Sequence, residues 1–221
     1  MNPILALIAL AVVAGAVVAI SSRDPRATIL GLAVVLIGSA VLAEPVPAPL
    51  GLATRFVGAI LAADLLWIVT RDRPRTPVPS AATEGSRIGW PAETLVALGA
   101  FVVGYAAHGL GAPAMGPALA SAAGFSVAAL ALTATLTGRD VVRVGLGCLL
   151  LIDAGLLVRT ALGGTSGDFE QLITSAALVV LAGTLAALAA AARADGSGGF
   201  GLSLERVRRH REPDAHPLDV R

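Results

Sequence analysis

Seven runs of apolar residues follow one another along the chain with only short polar breaks between them: Pro3 to Ile20, Ala27 to Ala43, Leu50 to Thr70, Pro91 to Leu110, Met115 to Leu136, Val141 to Leu162 and Phe169 to Ala192. Crossing a hydrocarbon core of about 30 Å takes roughly 20 helical residues. The runs are continuous and rich in Ala, Leu, Val and Gly, whereas barrel strands would alternate in short segments, so the pattern predicts helices. The expected fold is all-α: a polytopic membrane protein with about seven transmembrane helices.

The breaks carry turn chemistry. Ser21 to Arg26, the three-proline segment Glu44 to Pro49, Gly111 to Pro113, Gly138 to Asp140 and Gly163 to Asp168 all read as turns. The only long internal break, Arg71 to Arg87, is rich in Pro, Ser, Thr and Arg. Residues 1–70 are therefore expected to hold three helices, 71–90 a loop, 91–193 four helices, and 194–221 a tail. The first run lacks a basic leading segment and is long for a secretory signal, so it reads as a retained helix.

Arginine placement orients this path, because positively charged loops stay cytoplasmic. Arg23, Arg26, Arg71, Arg73, Arg75, Arg87, Arg139, Arg143 and Arg193 fall on one side of a seven-helix trace. Arg55 and Arg159 fall on the other, with Glu44, Asp168 and Glu170. The expected N-terminus is outside and the C-terminus cytoplasmic, with Trp67 and Trp90 near the cytoplasmic boundary. The tail begins with glycines and then sets Leu202, Leu204 and Val207 among Arg206, Arg208, Arg209 and Arg211, a short amphipathic stretch suited to an anionic leaflet or a peripheral subunit. Arg23-Asp24 and Arg139-Asp140 are 116 residues apart, and at that offset Leu30 meets Leu146 and Gly31 meets Gly147, a faint echo between the first and last three helices.

Composition narrows the chemistry. Of 221 residues 56% are hydrophobic and 14% charged, and lysine is absent, which excludes a soluble domain of ordinary make-up and a lysine-bearing phosphate loop. A net charge of +1 offers no basic surface for nucleic acid. Cys148 is alone, so neither an internal disulfide nor a multi-cysteine metal site is possible. Gly31 and Gly38 lie seven apart on one face of the second helix, a smooth strip for close packing.

Asp153 is the most informative residue, because it sits at the middle of a long apolar run, whose other charges, Arg143 and Arg159, lie near its ends. A carboxylate there costs about 2.5 to 3.5 kcal/mol on insertion scales unless a partner or water meets it. Asp64 on the third helix is too deep for its short side chain to reach water. His108, near the outer end of the fourth, reads as a structural imidazole before a proton relay, and as the only histidine in a span it gives no haem pair. Glu93 and Arg55 fall within a turn or two of helix ends and read as interfacial, with long side chains that snorkel. Asp153, Asp64, His108 and Glu93 are the proton or ion pathway candidates; no catalytic, cofactor or metal site is expected.

The stretch Arg139 to Val158, RDVVRVGLGCLLLIDAGLLV, resembles the small K-type membrane subunit of NADH-quinone oxidoreductase and its relatives in Mrp-type antiporters. Arg139-Asp140 matches the family's Arg-Asn start, Gly147 its glycine and Asp153-Ala154 its Asn-Ala, and Asp168 to Arg193 continues as the third helix of that subunit. The family's buried glutamates fall on Leu149 and near Gly183, so both are absent here. Asp153, four residues past Leu149, would supply a carboxylate one turn along the same face. Arg55 to Val69, RFVGAILAADLLWIV, resembles the Val-Gly-Ala helix of the J-type subunit. As a whole the chain looks like component E of hydrogenase-4 and formate hydrogenlyase complexes.

The resemblance implies a non-catalytic subunit of a complex I-like, redox-driven proton-translocating assembly in a bacterial-type cytoplasmic membrane. Its partners would be antiporter-like membrane subunits and the other subunits of a hydrogenase or dehydrogenase, which would carry the redox centres, with none on this chain. Asp153 and Asp64 would mark a hydrated axis. The alternatives are an Mrp-type cation/proton antiporter subunit, a stand-alone small transporter built of two three-helix repeats, and a structural scaffold.

Overall fold

The structure, a computed structural model, describes residues 3–22, 24–42, 48–71, 89–110, 114–138, 141–164 and 166–194. Most of the expected loop over 71–90 and nearly all of the tail over 194–221 lie outside the described residues. Within them the chain forms seven helices and no strand: α1 Pro3–Ser21, α2 Pro25–Val41, α3 Pro49–Arg71, α4 Trp90–Ala106, α5 Ala118–Thr137, α6 Val141–Gly163 and α7 Asp168–Ala194.

Proline starts three of these helices and stands beside the start of two more, because its fixed φ suits the first turn and its missing N–H is not needed there. Pro25 opens α2 behind Asp24, whose carboxylate accepts the Arg26 N–H at 3.1 Å as an N-cap. Pro49 opens α3, Pro91 sits in the first turn of α4, and Pro117 precedes α5. The fourth helix is shorter than its apolar run predicts. It ends at Ala106, and a turn through Gly109 at φ +79° takes the chain away, so His108 lies in that turn and not on the helix.

Five helices, α1, α3, α5, α6 and α7, are long and apolar enough to cross a membrane. The other two have 17 residues each, about 25 Å at 1.5 Å per residue. The exterior suits lipid. Leu7, Leu10, Leu30, Leu95, Val102 and Val180 are each more than three-fifths exposed, which a water-soluble bundle would not tolerate over so many faces.

Neighbouring helices close a ring in the order α1, α2, α3, α7, α6, α5, with α2 and α6 also touching across its middle. The fourth helix lies outside this ring, against α5 and α1. The faint 116-residue echo in the sequence falls on matching close contacts in two hairpins. A methyl group at Gly31 would stand 2.6 Å from the Gly15 carbonyl oxygen and 2.7 Å from the Ala19 amide nitrogen. At Gly147 it would stand 2.9 Å from the Ala131 oxygen and 3.1 Å from the Thr135 nitrogen. All three positions move by the same offset, so the α1/α2 and α5/α6 hairpins close in one register on equivalent glycines. The expected smooth strip on α2 is the same surface, since Gly38 also faces α1, at Val12.

Candidate functional site: buried charges in the bundle

Asp153 lies twelve residues into α6 and ten from its end, at the level where a bilayer would be driest. Its side chain is fully buried. Because Leu149 is one turn before it and equally buried, the face that carries Asp153 is the core face of α6. From α3, Arg55 reaches across to place a guanidinium nitrogen (NH2) 3.0 Å from Asp153 Oδ1. From α2, the Ser39 hydroxyl approaches the same oxygen to 2.7 Å and accepts from the Arg55 guanidinium at 3.1 Å. Ser39 also stands 3.1 Å from the Leu36 carbonyl; its single hydrogen serves the closer carboxylate. Three helices thus meet at one carboxylate oxygen. The other, Oδ2, is buried with no hydrogen-bond partner among the described residues.

This arrangement corrects the sequence reading of Arg55. Six residues from the start of α3, it was expected to snorkel to water; it turns inward, with its side chain 10% exposed, and forms the only ion pair to Asp153 among the described residues. The face of α3, not the distance to its end, decides. The pair also spans two helices that scarcely pack together, since α3 reaches the rest of the ring through α2 and α7. Arg55 and Ser39 belong to the first three helices and Asp153 to the last three, so the cluster joins the two halves of the chain.

A second cluster closes one end of the bundle. Glu93, in the first turn of α4, was also expected at the water boundary, yet it is 2% exposed. Ser21 at the end of α1 donates its hydroxyl to Glu93 Oε2, and Arg143 at the start of α6 stands 3.5 Å from Oε1 while donating to the Ile20 carbonyl at 3.0 Å. The start of α4 further favours a carboxylate through its unpaired N–H groups. Three helix ends are tied by one acid.

The remaining candidates do not join either cluster. Asp64 does not face Asp153: it is exposed on the outer surface of α3, beside a groove against α2. His108 is half-buried in the turn after α4, its Nδ1 lacking a hydrogen-bond partner among the described residues. Arg159 and Glu170 form an exposed two-bond pair across the α6–α7 turn, at 2.7 and 2.9 Å. Leu149 and Gly183, where the resembled family has glutamates, lie in the core and half-buried against Leu65. No group of three potential metal ligands occurs among the described residues.

Sequence reasoning missed Ser39 and misread Arg55. A serine near the end of an apolar helix is an ordinary back-bonding residue, and nothing local announces that its hydroxyl meets an acid 114 positions away.

Fold and site together define an all-helical protein with a bilayer-suited exterior and a charged cluster in its dry middle. Searches against protein-family models, curated proteins and solved structures find no match.

Proposed function

We propose that this chain is a non-catalytic membrane subunit of a complex I-like, redox-driven proton-translocating assembly of the hydrogenase-4 type, crossing a bacterial-type cytoplasmic membrane seven times with its C-terminus inside. The observation that carries the reading is the Arg55–Asp153–Ser39 cluster. A buried carboxylate paired on one oxygen and open on the other is a place where a proton can be held and released, and Asp153 is the residue that the K-type resemblance put one turn from a lost glutamate. Arg55 and Ser39 hold Oδ1, which leaves Oδ2 as the oxygen at which a proton would arrive.

Purification of the full chain from its native membranes in mild detergent tests the reading. Larger multi-span polypeptides and redox subunits should come with it, and Asp153→Asn in that complex should lower proton translocation several-fold at unchanged assembly. A single monodisperse polypeptide would overturn the subunit reading, and full pumping by Asp153→Asn the role of the carboxylate. The stand-alone transporter is the second reading, favoured by one observation: the cluster lies between the first three helices and the last three, as a midplane site would in a transporter built of two three-helix repeats. The antiporter-subunit alternative would be separated by the identity of the copurifying chains.

A further inference from the structure

We propose that the outward face of α2 and α3 around Asp64 is the docking site for a membrane-spanning helix of a partner subunit, which brings a basic side chain to the Asp64 carboxylate. This rests on the reading of the chain as one subunit of a larger assembly. Asp64 lies six residues short of Thr70, where the apolar run of α3 ends, so it stands about 9 Å inside that end by helix rise. Its side chain is exposed, and no hydrogen bond or ion pair meets it among the described residues. An aspartate is too short to bring its charge out as a lysine or arginine would. The cation nearest in sequence logic, Arg26 at the head of α2, sits over the Trp67 ring at 5.9 Å, one turn closer to the helix end.

The surroundings fit a helix. Beside Asp64 runs a groove of about 260 Å³ between α2 and α3, and Ala33, Ala59 and Ala63 along it let a backbone approach closely. Apolar walls alone would accept lipid chains equally well; the carboxylate decides between them. A lipid chain offers no donor at this depth, whereas an arginine or lysine on a partner helix satisfies the charge where the low dielectric strengthens the pair. Elsewhere the outward faces are apolar at mid-span, at Leu10 on α1, Leu98 on α4 and Val180 on α7, and so suit lipid contact.

The test uses the full chain in its native membrane. A photoreactive phenylalanine analogue at position 60, which is 58% exposed on this face, should form an adduct with a partner polypeptide, and the same probe at position 180 should not. Asp64→Lys should reduce the recovered partner about ten-fold or more, because a like charge then faces the incoming base. Should that variant fail to accumulate, Ala63→Leu fills the groove without touching the charge and should reduce recovery likewise. Adducts at position 60 confined to lipid or to a second copy of this chain, in a preparation that retains its partners, would overturn the docking site alone. Absence of any partner would overturn the assembly reading and the docking site with it. Unchanged partner recovery with both Asp64→Lys and Ala63→Leu would also overturn the docking site.

Discussion

Asp153 and Arg55 form a pair in which losing one member costs more than losing both. Removing one member leaves the other charge in a dry interior, which costs about 3 to 5 kcal/mol in comparable buried pairs, whereas replacing both by apolar groups is often neutral. Arg55→Leu or Asp153→Leu should therefore each lower the unfolding midpoint in detergent sharply, and the double variant should recover most of the loss. A double variant as unstable as the sum of the singles would show that the two charges act independently. Asp153 was legible in the sequence because its depth alone made it costly. Its partner was not, since a separation of 98 positions hides the contact and depth along a helix does not say which way a side chain faces. Glu93 shows the same blindness: its closeness to the start of α4 was legible, its enclosure by Ser21 and Arg143 was not.

At the scale of elements, prolines and glycines in the breaks made the seven helices readable to within a few residues, with α4 the exception because its apolar run continues into a turn. What the sequence showed only as a coincidence, Gly31 and Gly147 at one offset, is the contact that closes each hairpin. Gly147→Val should wedge α6 from α5, with a β-branched side chain set against the Ala131 carbonyl, and lower stability by an amount typical of overpacking, about 1 to 3 kcal/mol. Gly155→Ala, on the same helix, meets nothing within 4 Å and should be neutral or stabilising by up to about 1 kcal/mol. Thermal unfolding of the two variants in one detergent compares them directly; equal losses would mean that α6 responds to glycine replacement as such.

For the whole molecule, the alternating course of the helices puts Ser22 and Ser166 at opposite ends of the bundle. With cytoplasmic ends assigned by arginine, a cysteine at position 166 should react with an impermeant maleimide in intact cells, and one at position 22 only after the membrane is opened. The reverse pattern would invert the orientation. The native Cys148, inside α6, should stay unreactive in both. The ring itself was beyond the sequence, because which helices become neighbours is set by glycine contacts and charge pairs between segments far apart in the chain.

The separation of Arg55 from Asp153 has a consequence for biogenesis. The guanidinium enters the membrane with α3, and its counter-charge is synthesised only when α6 emerges, about 5 to 20 s later at usual translation rates. Throughout that interval an incomplete chain displays an unmatched cation in its interior, a visible mark of immaturity to the proteases that survey the bilayer. A chain stopped after α5 should accordingly be degraded fast in a pulse-chase experiment, and Arg55→Leu should prolong its life. On that outcome, the contact with Asp153 would be what sets finished chains apart from truncated ones.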